Sequence, residues 1–236
     1  MTARHDLAAT LPWMRQGTAH LLACTGALTD EEMQAPSGLP GWRRAHVAGH
    51  VARNAEALAR LAAWARTGVE NPMYAGPEQR SAEIQASAGR PAAMLRSEIA
   101  ATAAALDDAL ALLDDHTWTA TIRSAQGRQI PAAEIPWMRI REVWIHAVDL
   151  RTGATFDDLP AGVVDLLLDD VTGVLSGRDG CPPAALRPSD RDRAWRLGPG
   201  PDEQVTRIAA PAAHLAGWLT GRVTLPGEVP VLPRWL

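Results

Sequence analysis

Lysine is absent from this sequence, and all 23 cationic side chains are arginine. Against 27 carboxylates they leave a formal net charge of -4 and a pI near 6.0. A dominant role on nucleic acid or an anionic membrane, which needs a basic footprint, is therefore excluded. Cysteine is scarce as well. Cys24 and Cys181 stand far apart and outside any C-x-x-C spacing, which excludes a disulfide framework and a cysteine-based zinc site. A thiol used in chemistry here is expected to come from outside the chain. No run approaches the roughly 20 apolar residues that a membrane span needs. The opening Met-Thr-Ala-Arg-His-Asp has no charged region followed by an apolar stretch and a small-residue cleavage site, so a cytoplasmic location is expected.

What is present is an ordinary globular composition, 47% hydrophobic and 21% charged over 236 residues, long enough for two compact units. The first two thirds read as helices. Leu7, Leu11, Met14, Leu21 and Leu22 recur at helical spacing, predicting a first helix from Asp6 to about Thr25 with Pro12 disturbing its first turns. Thr29-Asp-Glu-Glu32 fits a capping box for a short turn. Val47, Val51, Leu58 and Leu61 predict a second long helix from about Arg44 to Arg66, with Gly68 as its stop. A third helical region spans about Pro77 to Asp114, where Gly89-Arg-Pro91 marks a kink or division. Residues 117–131 suit a short hairpin or an extended loop. A fourth helix runs from about Pro131 to Pro136 onward to Thr152, closed by Gly153. Four such helices suit an antiparallel bundle.

Turn residues crowd the stretch from Gly153 to Pro160, read as a linker between a unit of residues 1–155 and one of 160–236. Beyond it, a helix from Ala161 to about Leu175, strand candidates at Arg193 to Leu197 and Gln204 to Ala209, and a helix from Pro211 to Thr220 predict a small α+β domain.

The chemistry-bearing pattern lies on the fourth helix. Arg141-Glu-Val-Trp-Ile-His-Ala-Val-Asp-Leu150 places Glu142 and His146 one turn apart, with Asp149 nearly in line and apolar residues on both sides. Such a stripe needs a partner. An imidazole and a carboxylate four residues apart can converge on one metal ion, and the second long helix can supply His50 from across the bundle, leaving one coordination position open. A surface salt-bridge stripe gives the same spacing. His46, His50 and Asn54 are successive i,i+4 neighbours, and the two histidines read equally as a solvated pair, a metal pair, or one ligand with one neighbour. Asp149 suits a ligand-orienting acceptor or an ion pair with Arg151 or Arg141. Trp42, Trp137 and Trp144 read as packing.

Three separated motifs carry a resemblance. Gly38-Leu-Pro-Gly-Trp-Arg-Arg-Ala-His-Val-Ala-Gly-His-Val-Ala-Arg-Asn-Ala-Glu-Ala-Leu58, Arg139-Ile-Arg-Glu-Val-Trp-Ile-His-Ala-Val-Asp-Leu150 and Gly217-Trp-Leu-Thr-Gly-Arg222, in that order, closely resemble the mycothiol-dependent maleylpyruvate isomerase family. The resemblance implies a mostly α fold, a DinB-like four-helix bundle followed by a small α+β C-terminal domain. It implies that His50, Glu142 and His146 ligate zinc or another divalent metal, that mycothiol is the thiol cofactor, and that Arg222 acts on the substrate. The implied reaction is cis-trans isomerisation of maleylpyruvate to fumarylpyruvate. The alternative is a mycothiol S-transferase that conjugates another electrophile, and a third reading is a metal-binding module without catalysis. The expected partners are a small electrophilic substrate and mycothiol, with no nucleic acid and no membrane. The pattern leaves the oligomeric state open, a monomer included.

Overall fold

The computed structural model describes residues 3–235 and divides into two compact units, Met1–Ala154 and Thr155–Leu236. The first is built on four long helices, α1 (Leu7–Gly26), α3 (Arg44–Thr67), α5 (Ala92–Ala111) and α7 (Ile135–Asp149). Shorter helices α2 (Asp30–Gln34), α4 (Pro77–Ala88) and α6 (Asp115–Trp118) decorate the connections, with a hairpin of β1 (Thr121–Arg123) and β2 (Gln129–Pro131) before α7. Local signals set several ends. Asp6 accepts from the Ala8 amide at the start of α1, Thr29 and Glu32 form a reciprocal capping box, and α3 stops at Gly68, whose positive φ of 72° suits a residue without Cβ. The third helical region divides at Gly89-Arg-Pro91 into α4 and α5.

Around the bundle, α1 lies between α5 and α7, and α3 lies opposite α1 between the same two helices. The directions differ from a fully antiparallel arrangement. His5 meets Glu134 and Gly17 meets Val143, so α1 and α7 run parallel. Arg44 meets Leu150 and Arg139 meets Asn54, so α3 and α7 run antiparallel. Arg15 meets Asp107 and Arg96 meets Leu28, so α1 and α5 also run antiparallel, which leaves neighbouring α3 and α5 parallel. The reason lies in the connections. The segments joining α3 to α5 and α5 to α7 carry α4 and the hairpin respectively, long enough to cross the bundle.

Close packing is bought at two glycines. A Cβ on Gly17 would stand 2.5 Å from the Val143 side chain, and one on Gly49 would stand 2.4 Å from Ser87 Cβ. The first lets α1 approach α7; the second lets α4 approach α3. The helix α7 ends at Asp149, three residues before the expected stop at Thr152. Arg151 adopts a positive φ of 53°, and Arg44 donates to the carbonyls of Leu150 at 2.6 Å and Arg151 at 3.1 Å. A cation bonded to terminal carbonyls satisfies a helix end.

The second unit has a three-stranded sheet in the order β4-β3-β5, where β3 (Ala184–Pro188) pairs antiparallel with β4 (Trp195–Leu197) and parallel with β5 (Thr206–Ala210). Helices α8 (Ala161–Ser176) and α9 (Ala212–Leu219) pack together and against the sheet. The parallel partner requires a crossover, and β3 itself is absent from the sequence reading because Pro182, Pro183 and Pro188 mask a strand as a turn.

A fully buried guanidinium joins the two helices of greatest interest. Arg139 on α7 donates from one Nη to the Val51 carbonyl at 2.7 Å and to Asn54 Oδ1 at 3.0 Å on α3. Burial depresses its pKa to about 10, against the attraction of Glu142 nearby. Truncating Arg139 removes the cation itself but leaves two buried acceptors unpaired and a side-chain cavity, a cost of about 2–5 kcal/mol. Arg139→Ala is therefore expected to lower unfolding stability by about that amount in urea, whereas the exposed Arg128→Ala should stay within about 0.5 kcal/mol.

Candidate metal centre

The antiparallel alignment of α3 and α7 brings His50 opposite Glu142, while the helical repeat brings His146 onto the same face of α7. Glu142 Oε2 lies 2.8 Å from His50 Nε2 and 3.2 Å from His146 Nε2. The two imidazoles stand edge to face with centroids 4.9 Å apart. The ligating atoms of the three residues all fall within 4.8 Å of one another. Two imidazole nitrogens and one carboxylate oxygen at this spacing suit a borderline divalent ion, with a position left for an outside ligand. The Glu142 side chain remains 26% exposed, so the cluster is reachable from one side.

The second nitrogen of each imidazole is treated differently. His146 Nδ1 lies 2.8 Å from Asp149 Oδ2, and Asp149 is buried. That is the carboxylate-histidine relay which fixes a metal-binding imidazole with Nε2 free to ligate. His50 Nδ1 instead faces an Nη of Arg80 on α4 at 3.4 Å. Trp42, set by the loop before α3, presses on His50 with ring centroids 5.7 Å apart. That loop is pinned to the end of α7 because the Gly38 amide donates to the Asp149 carbonyl at 2.6 Å. A Cβ on Gly38 would come within 3.2 Å of Asp149 Cα, so glycine favours the approach.

The other residues raised by the sequence separate clearly. His46 Nδ1 accepts from the Arg43 amide at 3.1 Å, and its Nε2 lies 3.2 Å from Gln85 Oε1, so His46 caps α3 and ties it to α4. Asn54 is the acceptor for Arg139. Trp144 donates to the Trp13 carbonyl and stacks on His20, both packing roles. Arg222 belongs to the second unit. It follows Gly221, whose φ is 77°, and one Nη donates to the Thr220 carbonyl at 2.6 Å. Trp42 packs as expected, with His50 as its neighbour, whereas the sequence reading contains neither Arg80 nor Tyr74. Arg80 and Tyr74 sit in segments without a motif, and only packing between helices reveals them.

The charges are strongly coupled. Burial opposes charge on Glu142, but the two imidazoles hold its carboxyl well below the usual range. Burial also opposes charge on His146, yet the hydrogen bonds to Asp149 and Glu142 outweigh it and push its pKa up to about 9. Burial lowers the pKa of His50, with Glu142 pulling the other way. In the metal-free protein, charged His146 thus stabilises the fold fully below its unfolded value near 6.5, and that stability drains away as pH rises through about 9. Glu142 contributes in the opposite sense, losing its stabilisation as pH falls through its depressed folded value. An NMR titration of the metal-free protein should find one imidazole titrating near 9, which Asp149→Asn returns toward the ordinary value. If all seven histidines titrate near their ordinary pKa, the relay is absent.

The family profile described as the mycothiol maleylpyruvate isomerase N-terminal domain matches residues 14–151. The whole chain is similar to a crystal structure of the mycothiol-dependent maleylpyruvate isomerase, at 36% identity and a TM-score of 0.91, with 100% of both chains covered. A crystal structure of a histidine-to-alanine mutant of that isomerase is similar to the same degree, again at 36% identity, TM-score 0.91 and 100% coverage of both chains. No curated protein matches the chain at a significant level. With a profile spanning more than half its length and a full-length relative above 30% identity, this chain belongs to the mycothiol maleylpyruvate isomerase family.

Proposed function

We propose that this protein is a metal- and mycothiol-dependent isomerase that converts maleylpyruvate to fumarylpyruvate, with His50, Glu142 and His146 as the metal ligands and Arg222 acting on the substrate. The observation that carries the proposal is the convergence of Nε2 of His50, Nε2 of His146 and a Glu142 oxygen in a chain whose full-length relative is such an isomerase. When bound, the metal and mycothiol supply a thiolate at neutral pH whose addition to and departure from the cis double bond let that bond rotate.

The residues of this chain supply the rest. His146 presents Nε2 because Asp149 holds its Nδ1 proton, and the charge on Glu142 offsets part of the cation's charge. The buried flank of α3 and the Trp42 ring keep water from much of the cluster, which strengthens each electrostatic contact there. Neither cysteine belongs to the triad, which accords with a nucleophilic sulfur supplied by mycothiol. Arg222 offers a planar fork of donors suited to a substrate carboxylate and to negative charge shifting onto a carbonyl oxygen. No helix among the described residues is long and apolar enough to cross a membrane.

The activity test is an assay of the metal-loaded protein with maleylpyruvate and mycothiol. Fumarylpyruvate should accumulate while the thiol is regenerated, and activity should vanish on metal removal or in His50→Ala. Stoichiometric loss of mycothiol without fumarylpyruvate would establish an S-transferase in its place, and activity surviving both treatments would reject any metal-based mechanism. Asp149→Asn should weaken metal affinity or activity by about 10–100-fold. Arg222→Ala should lower turnover at least about tenfold with unchanged metal content, since a charge-assisted hydrogen bond is worth about 1.5–3 kcal/mol. Near-normal kinetics would remove Arg222 from the reaction.

A further inference from the structure

The bundle carries a second guanidinium with no role in the assignments above. Arg80 lies near the start of α4, and the contact of Gly49 with Ser87, together with the bond from His46 to Gln85, holds α4 tightly against α3. That packing delivers Arg80 to His50, with an Nη 3.4 Å from Nδ1. The guanidinium carbon stands 5.8 Å from the ring centroid of Tyr74, the only tyrosine in the chain. Many arginines of this unit are already committed: Arg15 pairs with Asp107, Arg53 with Glu56 and Glu98, Arg44 bonds carbonyls, and Arg139 is sealed inside. Arg80 is half-buried, and no carboxylate lies within ion-pair distance of it among the described residues.

Support of a metal ligand does not account for this cation. An imidazole that gives Nε2 to a metal carries its proton on Nδ1, and the suitable neighbour is then an acceptor, as Asp149 is for His146. A guanidinium only donates, so a metal-loaded His50 and Arg80 would present donor to donor. Arg80 is thereby released from the imidazole while remaining at the rim of the triad. Its planar fork matches a carboxylate bidentately. Tyr74 sits beside it, its phenol oxygen accepting from the guanidinium while the hydroxyl keeps its own proton to donate.

We propose that Arg80, flanked by Tyr74, is a binding residue of the bundle itself that takes a carboxylate of the anionic substrate and sets it against the metal triad. This rests on the isomerase reading for the identity of the substrate. The binding chemistry, a carboxylate on a guanidinium, does not depend on the reaction.

The test compares wild type, Arg80→Gln and Arg80→Lys, all metal-loaded, by metal content, by steady-state kinetics with maleylpyruvate, and by calorimetric titration with succinate, a dicarboxylate without a double bond. With active wild type, Arg80→Gln should raise KM about 10–100-fold at unchanged metal content, with kcat altered far less, and Arg80→Lys should recover part of the loss. An unchanged KM, or a fall confined to kcat or to metal content, overturns the assignment and makes Arg80 a support for His50. If wild type does not isomerise maleylpyruvate, the isomerase reading fails and succinate decides the fate of Arg80. Binding at least about tenfold weaker in Arg80→Gln sustains it. Equal affinity in both proteins, including none measurable in either, overturns it.

Discussion

One carboxylate oxygen shared between two imidazoles from different helices is the constraint around which the bundle is organised. Glu142 meets His146 through the repeat of its own helix, a contact that any α-helix can make. It meets His50 only because α3 runs antiparallel to α7 at the right register. That register is held at three points along the pair. Arg44 grips the carbonyls at the end of α7, the Glu142 pair sits in the middle, and Arg139 reaches the Val51 carbonyl and Asn54 at the far side. A polar seam of this kind is costly to bury unless each group is paired, and the pairing fixes one sliding position in preference to others.

The asymmetry between the two histidines follows from which element covers each one. His146 finds Asp149 three residues along its own helix, so its orientation is local and robust. His50 has its outer nitrogen facing α4, an element brought near by a glycine-serine contact, and the group that arrives is a cation. One imidazole is thus fixed by an acceptor and the other bordered by a donor. The first arrangement suits a metal ligand; the second sets a guanidinium at the rim of the triad.

Much of this was legible in the sequence where the cause is local. Thr29-Asp-Glu-Glu32 forms its capping box, Gly68 ends α3, and Gly89-Arg-Pro91 splits the third helical region, because each depends on a few neighbouring residues. The polar stripe of Glu142, His146 and Asp149 was visible against its apolar flanks for the same reason. Spacing alone does not choose between His46 and His50, since both lie on one helical face, and the choice of His50 came from the family resemblance; in the structure His46 turns to the amide of Arg43 at the start of the helix. The parallel pairing of α1 with α7, strand β3, and the approach of Arg80 to His50 are all set by distant segments. No periodicity in one stretch of chain encodes them. The expected extension of the last bundle helix to Thr152 failed because Arg44, more than a hundred residues earlier, takes up the carbonyls where it stops.

Three side chains from two helices are placed to hold one divalent ion and leave it accessible to a thiol. Replacing that ion with cobalt(II) and recording the electronic spectrum tests this most directly. Low-coordinate cobalt bands should appear in the wild type and disappear in His50→Ala, and adding mycothiol should produce a sulfur-to-metal charge-transfer band. A wild-type spectrum retained in His50→Ala, or a cobalt spectrum indifferent to the thiol, would show that the ion does not sit on these side chains or is closed to sulfur.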